Sequence, residues 1–365
     1  MKRNSQPSVV QLFNKKVKSI FNGEKKEIKL LGIISLIGIG VIVVLVLSSS
    51  TSSFKKDVAI VPKTVQNNCE YTKILNGECV DTFAAQIPAL VAVMIENHPE
   101  ARPQAGLAEA DVVYEAMVEG NFTRFMALYP YTTEVSKVGP VRSARPYFLD
   151  WLAEYDSPLY MHVGGSPAAL DLIVKRDIWD ANEMFKGNSF WRATNRYAPH
   201  NVYTNTERWT KLIGAEIENK FIPWVFTTST PTCLSNCVQS VEIPYLRPSF
   251  VTVWNYHPNI NKYERWQGTV PHETESGRIY ADTILIMESP VAVLDEIGRL
   301  EMKTIGEGPA LVIMAGQKIT GTWQKSGLFE RTNFYDNTGK EIFFKPGKIW
   351  VQLVPKLSAV QITQL

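Results

Sequence analysis

The pattern of apolar and polar positions divides the chain into an N-terminal membrane-like segment and two stretches with different periodicities. Residues 30–47 (LLGIISLIGIGVIVVLVL) are apolar and carry no charge. As a helix rising 1.5 Å per residue they would span about 27 Å, close to the hydrocarbon core of a bilayer. Basic residues precede this run, and the uncharged Ser48–Ser53 follows it. The positive-inside rule therefore predicts a cytoplasmic tail at residues 1–29, a transmembrane helix at 30–47 and everything beyond Ser48 outside. A cleaved signal peptide is the alternative, but both the basic region and the apolar run are longer than the usual signal pattern. Since no Cys closely follows the run, lipid attachment there is not available.

Beyond the membrane segment, residues 48–85 read as a polar stalk closed by a Cys loop. The apolar run Leu90–Ile95 suits a central strand. Asp111–Val118 and Thr123–Tyr129 read as a hairpin around the turn Glu119-Gly120-Asn121, and Leu159–Val163 as a further strand. Ala144–Tyr155, capped by Ser143, and Thr206–Ile217 read as helices. Ser166-Pro167 marks a third helix start, with Ser at the N-cap and Pro at the first helical position. This alternation predicts an α/β-type mixed domain over 86–225. Residues 226–246 read as a linker rich in Thr, Ser and Cys. Over 247–357, short strands near 250–256, 283–288, 310–314, 318–324 and 349–354 are separated by turn signals, which predicts a smaller, mostly-β domain. The fold class is thus α+β behind a transmembrane helix.

Charge sharpens this division. The net charge of +2 conceals a tail with eight basic residues against Glu24 and Glu27, a net +6, which leaves the rest of the chain at −4. An acidic body argues against binding nucleic acid, which needs clustered Lys and Arg. The tail's attraction to anionic lipid is enough to explain its charge. Four Cys outside the membrane favour disulfides, with the local pairs Cys69–Cys79 and Cys233–Cys237 the leading connectivity and a four-Cys zinc site the alternative. With five His in the chain, a His-built metal site would need assembly of residues far apart in sequence, and none is predicted. No cofactor motif is present either: Gly38-Ile39-Gly40 lies within the apolar run, and His162-x-Gly164-x-Ser166 lacks a phosphate-loop ending.

Four places carry candidate chemistry. On the first hairpin strand Asp111, Glu115 and Glu119 share a face, and a two-residue loop would put Arg124 on it as well. Glu115 and Glu119 are then candidate acid/base residues, or else members of an ion-paired solvent face. Arg142, Ser143 and Arg145 lead into a helix, where the guanidinium groups would either hold a carboxylate or phosphate or pair with the hairpin acids. His162, at a strand end before a glycine turn, is either a ligand-facing or a structural His. Arg192, His200 and Asn201 lie in an irregular polar and aromatic stretch, where loop chemistry is expected.

These residues also carry a resemblance. Glu96-Asn97-His98-Pro99 with Arg102-Pro103-Gln104, Ala110–Glu115, Glu119-Gly120, Thr123-Arg124-Phe125, Gly139–Arg145, His162-x-Gly164-x-Ser166 and Ala198–Asn201 resemble the YerB-like bacterial envelope family, whose members are described as lipoproteins. Thr322-Trp323, Phe334-Tyr335-Asp336 and Pro346–Trp350 resemble its second part. The likeness covers about Pro88 to Pro355 and departs at the N-terminus, where an apolar run replaces a lipid-attachment Cys. It implies a two-part domain of unknown function in a bacterial plasma-membrane protein with its folded part outside, and it implies no reaction. The matched polar residues, with Asn97, Arg102, Gln104, Asp111 and Arg124 as ligand-binding candidates, place the site in the first domain. The leading expectation is a cell-envelope ligand held by Arg102, Arg142 and Arg145, with His162, His200 and Asn201 orienting it. A wall-directed hydrolase or transferase using Glu115 or Glu119 is the alternative, and a structural assembly role the third; protein partners are not legible.

Overall fold

The apolar run at Leu90 forms a central strand, Leu90–Glu96 (β1), buried along its whole length. Val112–Val118 (β2) and Phe122–Pro130 (β3) form the expected hairpin, and Leu159–His162 (β4) and Asp180–Asn182 (β5) complete this half. Beyond the single turn Phe83–Gln86 that precedes β1, the short helices described in this half are Pro146–Leu152 (α1), Pro167–Lys175 (α2) and Thr206–Thr210 (α3). A computed structural model describes residues 69–214, 220–227, 233 and 235–364. The basic tail and the apolar run at 30–47 lie outside them. Among the described residues no helix is long and apolar enough to cross a membrane.

The later half contributes Val238–Ile243 (β6), Thr252–His257 (β7), Lys262–Gln267 (β8), Thr283–Glu288 (β9), Gly306–Met314 (β10), Gln317–Lys325 (β11), Asn333–Asp336 (β12), Ile349–Val354 (β13) and Gln361–Gln364 (β14). Among the described residues, one sheet runs through both halves in the order β12-β11-β10-β9-β13-β2-β3-β1-β4-β5. The join is β13 against β2, paired in parallel with Ile349 beside Val112 and Gln352 beside Glu115. Ile349 to Val354 is a continuous buried run, as a parallel strand covered on both faces requires. A second sheet has the order β8-β7-β6-β14, with Val270–Pro271 on its β8 edge. Trp254 of β7 meets Trp350 of β13 edge to face at 5.2 Å, while Trp151 of α1 stacks on Tyr114 of β2. The fold is therefore sheet-rich, with few helices.

Several expectations need correction. Residues 226–246 are not all linker: β6 pairs with β7 and with the C-terminal β14, which itself lies past the expected domain end at 357. The hairpin turn is Glu119-Gly120-Asn121, as read, but it closes as a three-residue rather than a two-residue loop, so Arg124 pairs with Ala116 and Thr123 with Met117. A one-residue change of register moves a side chain to the opposite face. Arg124 therefore points away from Glu115, on the α1 side. Helix α1 starts at Pro146 with Arg145 rather than Ser143 at its N-cap position, and α3 is a single turn, with Gly214 soon after it. Helix α2 forms as read, Ser166 Oγ accepting the Ala169 amide at 3.3 Å. Both local Cys pairs are joined, Cys69 to Cys79 and Cys233 to Cys237.

Candidate functional site

Where β1 ends and β3 begins, the chain leaves an open cleft of about 470 Å³. Glu96 closes β1, Thr123 and Arg124 open β3, and Glu119 and Gly120 form the turn between the hairpin strands. Arg142 and Arg145 reach in from the loop before α1, His98 and His200 from two further loops, and Ile297 from the tip of the hairpin at 291–302.

The Arg loop is held by backbone on both sides. Arg142 N–H donates to Met94 O at 2.8 Å and Glu96 N–H to Pro140 O at 2.9 Å, while Val163 N–H donates to Arg142 O at 3.1 Å. Gly139 has φ +141° and lies so close to Val202 O that a Cβ would sit 2.7 Å from it. Only glycine tolerates that conformation and that approach together.

Two ion pairs line the cleft. Glu96 Oε1 accepts from Arg142 Nε at 2.9 Å, and its other oxygen pairs with His200 Nδ1 at 2.8 Å. Glu119 takes a fork from Arg145, at 2.6 and 2.9 Å from Nε and 2.7 Å from Nη2. Burial opposes ionisation of Glu119, but the Arg145 fork outweighs it and holds the carboxyl below its usual range. Arg124 is the exception. It is 6% exposed, its Nη1 donates to Ser143 O at 2.6 Å, and its buried Nε has no partner; it pairs with no carboxylate among the described residues. Burial, and then the charges of Arg145 and Arg142, pull its pKa down to about 10, so it remains a cation at neutral pH.

The other sequence candidates separate from the cleft. Glu115 is fully buried; it accepts from Arg265 Nη2 at 2.7 Å and Thr123 Oγ1 at 2.7 Å. This places it in the seam between the sheets rather than at an open site, because Arg265 comes from β8. Asn97, Arg102 and Gln104 belong to the same seam: Asn97 Oδ1 receives Gln267 Nε2 at 2.8 Å, Arg102 Nη1 donates to Ser249 O at 2.9 Å, and Gln104 Oε1 meets His272 Nε2 at 2.9 Å. Asp111 pairs with Lys73 at 2.9 Å. His162 is buried between Gly164 O at 2.7 Å and Asp180 at 3.0 Å. Arg192 pairs with Glu183 and also bonds Asn201 Oδ1 at 3.1 Å, and neither lines the cleft. Of the candidates, Glu119, Arg124, Arg142, Arg145 and His200 converge on the cleft, while Ser143 supports it through its carbonyl. Sequence reasoning missed Glu96, His98 and Ile297 as cleft residues; the one signal for the first two was an apolar strand ending abruptly in Glu-Asn-His.

Both parts of this fold match known proteins. Residues 75–220 match the model of the N-terminal domain of a protein of unknown function, DUF3048, and residues 241–351 match that of its C-terminal domain. The chain belongs to this YerB-like family. It is 33% identical over 283 residues, 75% of this chain and 83% of the relative, to a protein of Bacillus subtilis (strain 168) named "Putative lipoprotein YerB". It is likewise similar to the crystal structure of YerB from Bacillus subtilis, with a TM-score of 0.72 and 30% identity over 80% of this chain and all of the other.

Proposed function

We propose that this chain is a membrane-anchored, extracytoplasmic binding protein whose cleft holds an anionic group of a cell-envelope ligand. The anchor would be the uncharged run at 30–47 with its basic flank. A relative named as a lipoprotein and two disulfides fit an address outside the cytoplasm. The observation that carries the ligand class is Arg124: a buried guanidinium with no carboxylate partner among the described residues and an unused N–H, lining a cleft. Buried charges are normally paired, so an anion entering the cleft would supply the missing partner. Arg142 adds a second positive group beside it, and a volume of about 470 Å³ is in the range of ligand pockets rather than of a lone ion.

The catalytic alternative has less support. Glu115 does not line the cleft, and Glu119 is held ionised by Arg145, which opposes a role as general acid.

The test is thermal unfolding of the full-length chain in detergent, with inorganic phosphate as the probe, for wild type and Arg124→Met. An anion at 100 times its Kd should raise stability by about 2.7 kcal/mol. The variant should lose that shift while being as stable as wild type or more so, because it removes an uncompensated buried charge. No shift in wild type, or an equal shift in both, would sink the reading.

A further inference from the structure

At the rim of the cleft, His98, Glu100 and His200 bring together one ligand atom each within 4.8 Å of one another. We propose that these three residues form a binding site for a divalent transition-metal ion of the zinc class, with an open coordination position on the cleft. His98 and Glu100 flank Pro99 in the single turn that follows β1, where the His98 ring accepts the Glu100 amide at 3.2 Å. His200 arrives from a loop a hundred residues later, and its ring stacks on His98 with centroids 4.7 Å apart and 16° between planes. The two imidazoles therefore present their edges side by side, with the Glu100 carboxylate beside them.

The orientation of His200 makes the argument. Its Nδ1 lies 2.8 Å from Glu96 Oε2, and Glu96 is itself fixed by Arg142. With its Nδ1 hydrogen on that carboxylate, the neutral form of the ring would turn an Nε2 lone pair outward. That lone pair faces Glu100 Oε2 at 3.1 Å. Two acceptors so close repel each other unless a cation lies between them. A tetrahedral zinc ion with bonds of about 2.0–2.1 Å separates its ligand atoms by roughly 3.3 Å, close to the 3.1 Å between His200 and Glu100 and reached at His98 by drawing in ligand atoms that already lie within 4.8 Å of one another. Glu96 then has the part that carboxylates commonly take behind a metal-binding His, setting the tautomer and the ring angle. Two imidazoles and one carboxylate form the donor set typical of zinc sites that keep one position for water or a ligand. Glu100 is largely exposed and both rings line the cleft, so the three side chains are open to an entering ion. At His98, binding exchanges the amide contact for the metal.

The alternative occupant of the gap is a proton, which would make His200 an imidazolium between two carboxylates. Calorimetric titration of the metal-free full-length chain in detergent with Zn²⁺ alone distinguishes the two. One ion per chain is expected, with affinity lowered at least tenfold in His98→Ala and in His200→Ala. Glu96→Gln should weaken binding by about 10–100-fold while leaving the stoichiometry at one. Visible absorbance of bound Co²⁺, lost in the double variant His98→Ala/His200→Ala, gives a second readout, and circular dichroism checks that each variant is folded. No binding by wild type, or binding that survives in the folded double variant, overturns the proposal. Phosphate titrated into the metal-free protein reads the Arg124 site separately, so either reading can fail alone.

Discussion

Glu115→Gln separates a structural seam from a catalytic residue. The change keeps the shape of the side chain and removes its charge, and it leaves Arg265 as a buried cation without its counter-ion. Both side chains are fully buried and 2.7 Å apart, so solvent offers neither any relief. Removing one partner of a buried pair costs about 3–5 kcal/mol. Two features place the expected loss near the lower end. Thr123 Oγ1 can still bond the new amide, and Arg265 remains boxed by Phe125, Trp254 and Trp350 at 5.4, 5.9 and 5.1 Å, contacts of the cation–π kind. A loss of about 3 kcal/mol is expected. Urea unfolding measures it, provided the slope with denaturant matches that of wild type. The double variant Glu115→Leu/Arg265→Met should recover most of the loss, since apolar replacement of a whole buried pair is often neutral. A single variant within about 1 kcal/mol of wild type, with no coupling in the double variant, would refute the reasoning.

Other outcomes follow from the same seam and from the cleft. Burial first, and then the charges of Arg265 and Arg102, hold the His272 ring well below its usual pKa, and Arg265 Nη1 faces its Nδ1. Folding therefore excludes a proton that the unfolded chain takes up: the contribution of neutral His272 is complete above about pH 6.5 and is lost as pH falls below it, by up to about 1.4 kcal/mol per pH unit. His272→Gln should flatten that part of the stability–pH curve between pH 7 and 5, and equal slopes in the two proteins would count against the assignment. Gly139→Ala should displace the Arg142–Arg145 loop, cost at least 1 kcal/mol or so in stability and weaken the phosphate response, because its Cβ meets backbone rather than a yielding side chain. Trp151→Ala, which empties the fully buried contact between α1 and β2, should cost about 3–5 kcal/mol by the same unfolding assay.

The sequence by itself determined what depends on near neighbours. The Leu90 run, the Ile349 run and the Ser166-Pro167 start are each set by periodicity or capping within a few residues, and each forms as read. The two Cys pairs close over separations of ten and four residues, again a local matter. Family membership was also legible, since it is carried by short ordered motifs. Only the tertiary structure decided which charges meet. Asp111, Glu115 and Glu119 lie eight residues apart from first to last, yet they pair with Lys73, Arg265 and Arg145 on three different elements. No local rule selects a partner 150 residues away; the parallel join of β13 to β2 does, by bringing the second sheet over one face of the hairpin. One extra residue in the hairpin turn then settled the cleft. It turned Arg124 to the face opposite Glu115, where among the described residues no carboxylate pairs with it and its buried Nε has no partner.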